Sequence, residues 1–155
     1  MLQRIQTIYL LLASLAIYAL FFFPLVHSIY VAGKPVTIMA QGVFQDVNGQ
    51  RVQTQSFLGL TVATSMLGLI PLIIITIYKD RRKQINFCYF NLALIVGFSF
   101  WMAQAVKPVM GDTQIDTHNW GIGLLLSSIS MIFILLAIKG IKNDEKLVKS
   151  ADRLR

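Results

Sequence analysis

The chain has 155 residues, 55% of them apolar, with fourteen Lys and Arg against seven Asp and Glu for a net charge of +7. That length leaves room for one membrane domain and no separate soluble one. A single cysteine, Cys88, excludes an internal disulfide and any exchange between paired thiols.

Four apolar stretches, residues 5–25, 57–78, 85–106 and 120–138, contain no charged side chain. Each is about the ~20 residues that cross a ~30 Å hydrocarbon layer as a helix. In lipid the backbone must satisfy its own hydrogen bonds, so these segments are expected to be helical. The expected fold class is all-α: one membrane domain over 1–155, a four-transmembrane-helix bundle with a small antiparallel β element in its first outside loop. Pumps and proton relays usually work through an ionisable group within the membrane, and these stretches have none.

The first stretch is expected to be an uncleaved anchor. It is long for a secretory signal, ends in Phe21, Phe22 and Phe23, and no small-x-small cleavage site follows its apolar core.

The loop over 26–56 carries β-prone runs at 28–31, 36–40, 43–47 and 50–54. Ala32-Gly33-Lys34-Pro35 separates the first two, and Asn48-Gly49, a type I′ hairpin signal, the last two. Two hairpins in one small sheet are expected. In that register Asp46 lies opposite Arg51, a favourable cross-strand pair. Val43, Val47 and Val52 share a face, although Gln45 and Gln50 interrupt it.

The link after the second stretch is short, so helices two and three are expected to be antiparallel neighbours. The loop over 107–119 pairs helices three and four in the same way. Small residues at helical spacing suggest close helix approach: Thr61, Thr64, Ser65, Gly68 and Pro71 on span two, Ala93 and Gly97 on span three, Gly123, Ser127 and Ser130 on span four. These stripes are expected to face one another. Tyr9, Tyr78, Trp101 and Trp120 sit toward span ends, as interfacial aromatics do.

Candidate sites are few. Asn91 and Gln104 on span three offer a polar cleft for a ligand such as a quinone headgroup, but the favoured reading is the plainer one, an interhelical hydrogen bond. His27, His118, Asp112 and Asp116 are zinc-ligand types without ligand spacing. Cys88 reads as a small packing residue. No phosphate loop, nucleophile elbow, HExxH helix or CxxC pair is present, so neither catalytic residues nor a cofactor are expected.

The tail over 139–155 is more suggestive. As a helix it places Leu147, Val148, Ala151 and Leu154 on one side and Lys142, Lys146, Lys149 and Arg153 on another. That pattern suits an anionic membrane surface or a groove on a partner protein; the plainer alternative is a frayed basic tail.

Eleven of the fourteen basic residues flank one side of the four stretches: Arg4, the link 79–84 and the tail. Only Lys34, Arg51 and Lys107 lie on the other. The positive-inside rule places both termini in the cytoplasm. The basicity points to anionic headgroups and not to nucleic acid.

Three segments carry a resemblance: Met1-Leu2-Gln3-Arg4-Ile5-Gln6-Thr7, the link Lys79-Asp80-Arg81-Arg82-Lys83-Gln84-Ile85, and the ending Ile141-Lys142-Asn143-Asp144-Glu145-Lys146-Leu147-Val148-Lys149-Ser150-Ala151-Asp152-Arg153-Leu154-Arg155. In these the chain resembles a family of uncharacterised four-span membrane proteins from Bacteroidota, a domain of unknown function. The resemblance implies a bacterial inner membrane with a periplasm outside, and brings no catalytic residue. The expected role is a non-enzymatic accessory or assembly subunit of a membrane complex; the alternative is a small carrier for a lipid, quinone or other hydrophobic solute.

Overall fold

A computed structural model describes residues 3–31, 34–47, 50–78, 80–110 and 119–153. Four helices, α1 (Gln3–Ala19), α2 (Leu58–Thr76), α3 (Arg81–Met110) and α4 (Gly123–Arg153), surround four strands in chain order, β1 (Val26–Val31), β2 (Lys34–Met39), β3 (Gly42–Val47) and β4 (Gln50–Ser56). The all-α expectation is therefore wrong. The β element is a four-stranded antiparallel sheet in the order β1-β2-β3-β4, and a bridge from Val26 to Trp120 adds a short fifth edge segment. The fold is α+β, with the sheet segregated at one end of the helices.

The expected hairpin register is present. Val31 pairs with Lys34, Val47 with Gln50, and Asp46 lies opposite Arg51. The two connecting pairs, Ala32-Gly33 and Asn48-Gly49, fall outside the described residues. Each outer pairing carries one extra residue, between Val26 and Ile29 in β1 and opposite Val43 and Phe44 in β4; such bulges twist and re-aim a strand. Gly42 opens β3 at φ +152°, where a Cβ would lie 2.1 Å from the Gln55 carbonyl oxygen. Ile29, Val36, Ile38 and Val43 make the sheet's apolar side, all buried. The whole of β4 is exposed.

Three helices are long and apolar enough to cross a membrane: Leu58–Thr76, Arg81–Val109 and Gly123–Val148. The first apolar stretch is helical only to Ala19. Leu20, Phe21 and Phe22 donate to carbonyls three residues back, and Pro24, which disfavours helical geometry in the residue before it, closes the turn. With 17 residues, α1 is about 26 Å long. At the other extreme α4 runs for 31 residues without interruption, about 46 Å. The basic tail thus continues α4 instead of starting a separate helix.

α1 is the hub. It packs on α4 and on α2, and α3 completes the ring against α2 and α4. Its buried face holds Gln6, Leu10, Ala13, Ser14, Ile17 and Leu20. The Ser14 hydroxyl donates to the Gly68 carbonyl (2.6 Å), the Tyr18 hydroxyl to the Ser65 carbonyl (3.2 Å), and Ser130 to the Ala13 carbonyl (2.9 Å). A Cβ on Gly68 would come within 2.7 Å of the Tyr18 ring. The small-residue stripes of spans two and four therefore meet α1, not each other. Those of span three do not pack inward: Ala93 and Gly97 are exposed.

Two glycines fasten the sheet end. The Gly121 amide donates to the Leu25 carbonyl (2.9 Å) and the Gly123 amide to the Pro24 carbonyl (3.0 Å). A Cβ on either would lie 2.0 Å or 2.7 Å from the Pro24 oxygen, so the start of α4 approaches the α1–β1 turn backbone to backbone.

Candidate functional site

The inward stripe of α3 runs Gln84, Ile85, Cys88, Asn91, Ile95, Phe98, Met102 and Val106, at helical spacings of three and four. On α4 the matching stripe runs Ile134, Ala137, Ile138, Ile141 and Asp144. Both stripes end in polar side chains at the end of the bundle that holds the start of α1 and the link between α2 and α3.

There Gln6 donates its side-chain amide to the Asp144 carboxylate, and Gln84 donates to the Ile74 carbonyl (3.3 Å). Asp144 is 6% exposed, Gln6 6% and Gln84 5%. A buried carboxylate requires a donor or a cation, and Gln6 supplies the donor. A cavity of about 440 Å³ opens beside this group, lined by Gln6, Thr7, Ile8, Ile75, Tyr78, Arg81 and Gln84. The signal for Asp144 lay in the sequence, since it continues the three-and-four stripe of α4. Counting it with an aqueous tail hid that.

Outside the polar cluster α3 and α4 are joined at the surface. Lys142 donates to the Tyr89 hydroxyl (2.9 Å) and its ammonium lies 5.3 Å from the Tyr89 ring centroid. Arg82 lies 3.9 Å from Glu145. In the link, Asp80 accepts from the Lys83 amide (3.2 Å) and pairs with its ammonium (3.2 Å). The backbone N–H of Lys83, then its side chain, holds the Asp80 carboxyl below its usual range.

Of the expected site residues, Lys142, Lys146 and Leu147 are exposed on α4. Lys149 and Arg153 lie on the same helix, while Leu154 falls outside the described residues. Asn91 and Gln104 are not brought together. Asn91 is 0% exposed, with both its side-chain nitrogen and oxygen unpaired. Gln104 is exposed, and thirteen residues of helix, about 20 Å, separate them. Cys88 is buried on the packed stripe. His27 lines a cavity at the sheet end with Phe22, Phe23, Arg51 and Trp120. Its supposed companions Asp112, Asp116 and His118 lie outside the described residues, and among the described residues no three His, Cys, Asp or Glu cluster.

One surface feature had no counterpart in the expectations. A groove of about 420 Å³ separates α2 and α3, lined by Ala63, Met66, Leu67 and Ile70 on one side and Ala93, Leu94, Gly97, Phe98 and Trp101 on the other. A Cβ on Gly97 would meet nothing within 4 Å.

Three long apolar helices with a packed, partly polar interior define a membrane protein. Residues 2–154 match the family described as Domain of unknown function (DUF4293), and the chain belongs to that family. No curated protein matches it.

Proposed function

We propose that the protein is a non-enzymatic accessory or assembly subunit, holding a transmembrane helix of another membrane protein in the groove between α2 and α3. The observation that carries this reading is Gly97. It faces open space at mid-helix, beside Ala93 and across from Ala63. In lipid, helices associate by close packing, and small side chains are what permit backbones to approach. Ser65 and Gly68 of α2 and Ser130 of α4 are by contrast already packed against α1.

The same proposal places the chain in a bacterial inner membrane. α1 is a fourth crossing, both termini are cytoplasmic and the sheet is periplasmic. Charge supports the orientation: Arg4, the link and the end of α4 carry eleven of the fourteen basic residues, and antiparallel packing gathers them at one end. There the exposed Lys142 and Lys146 face anionic headgroups. The carrier alternative draws little from the geometry, because Asn91 lines neither the cavities nor the groove described above, and Gln104 lies far from it.

Tagged protein extracted in mild detergent tests the proposal. Wild type is expected to bring down a second membrane protein in fixed ratio. Gly97→Trp, which fills the groove, should release it, while Leu135→Trp on the exposed face of α4 should not. A partner-free wild type, or equal retention by all three, contradicts it.

A further inference from the structure

We infer that the cavity among α1, the end of α2 and the start of α3 binds the headgroup of an anionic glycerophospholipid. The inference is independent of the docking groove, which is lined by other residues of α2 and α3.

Three consecutive cations begin α3. Two have carboxylate partners: Arg82 lies 3.9 Å from Glu145 and Lys83 lies 3.2 Å from Asp80. Arg81 meets no carboxylate among the described residues, is half-buried, and lines the cavity. A guanidinium withdrawn from water without an anion is unfavourable, and, with no carboxylate beside it, its planar fork is suited to the two oxygens of a phosphate. The cavity wall behind it is polar. Gln6 and Gln84, both almost fully buried, line it together with Tyr78. Their amide carbonyls suit a head that bears hydroxyls, as phosphoglycerol does. Asp144 is the nearest buried carboxylate, on the far side of the Gln6 amide that it holds.

The other wall is apolar. Ile8 is 54% exposed and Ile75 lies beside it on the cavity rim, both on the outer surface of an apolar bundle. A ligand whose phosphate meets Arg81 therefore continues along a hydrocarbon path. That geometry fits a lipid and not a free anion. At about 440 Å³ the cavity is within the range of small-molecule sites, and clusters of basic residues between helices at a membrane boundary are where anionic heads bind.

The test is native mass spectrometry and thermal unfolding of the full chain in detergent, with added phosphatidylglycerol, phosphatidylcholine or water-soluble glycerol phosphate. Wild type is expected to retain phosphatidylglycerol and to be stabilised by it. Arg81→Gln should weaken that retention by about tenfold, the loss of one charge-assisted contact. Arg82→Gln, which removes an equally charged but paired neighbour, should leave it nearly unchanged, and Arg81→Lys should fall between. If Arg81→Gln does not fold, the Lys variant and the Arg82→Gln comparison still decide. Equal loss in Arg81→Gln and Arg82→Gln, equal binding of phosphatidylcholine, or glycerol phosphate competing as well as the lipid would each overturn the inference.

Discussion

Gln6, in the first turn of α1, donates its amide to Asp144, about six turns into α4, across 138 residues of sequence. The bond ties the start of the chain to its end and gives the bundle's most buried carboxylate its donor. Hydrogen bonds to charged groups contribute more than neutral ones, and stranding a buried charge costs the full desolvation penalty. Gln6→Leu should therefore destabilise the protein by about 2–3 kcal/mol in denaturant or thermal unfolding. Asp144→Asn, which keeps an acceptor and removes the charge, should cost clearly less. In a double-mutant cycle the two positions should be strongly coupled.

Asn91 is the opposite case, an amide fully buried with neither polar atom paired. An unsatisfied buried amide is unfavourable by about 1–3 kcal/mol. Replacing it by Leu, of similar volume, should raise the unfolding temperature. A fall would mean that the amide serves a bound group, and would revive a carrier role for span three.

Two glycines, one just before α4 and one within α3, should answer differently to the same methyl. Gly121→Ala forces a Cβ to within 2.0 Å of the Pro24 oxygen and should cost about 3 kcal/mol, as overpacking against fixed backbone does. Gly97→Ala meets nothing within 4 Å and replaces the poorer helix former by the better, so it should gain up to about 1 kcal/mol. Paired thermal melts read both.

Asp80 caps the start of α3 as a carboxylate, held below its usual value of 3.8 by the Lys83 amide and ammonium. A depressed carboxyl pKa stabilises the fold above the unfolded value, and that contribution fades as pH drops through the lower folded value. Amide exchange over the first turn of α3 should stay slow from neutral pH down to about pH 4 and accelerate below it, after correction for intrinsic rates. Asp80→Asn should flatten that added dependence.

Much of this architecture could be read from residue order. Uncharged runs gave helices two to four, and Asn48-Gly49 gave the hairpin that sets Asp46 against Arg51. The fold class failed because the sheet was counted as decoration on a loop, whereas four strands and the Val26–Trp120 bridge make it a second layer. The first helix was drawn too long because apolar content alone continues to Leu25, while Pro24 ends the helical backbone earlier. Asp144 was missed because charge was taken as a sign of water; its place on the stripe of Ile138 and Ile141 said otherwise. The α2–α3 groove was beyond reach, since spacing shows that Ala93 and Gly97 share a face but not whether a neighbour fills it.

A photo-reactive benzophenone side chain at position 97 tests the docking claim most directly. Irradiated in native membranes, it should form a discrete adduct with one other membrane protein, and the same group at Leu135 should not. Adducts at position 97 confined to lipid, or to a second copy of this chain, would contradict it.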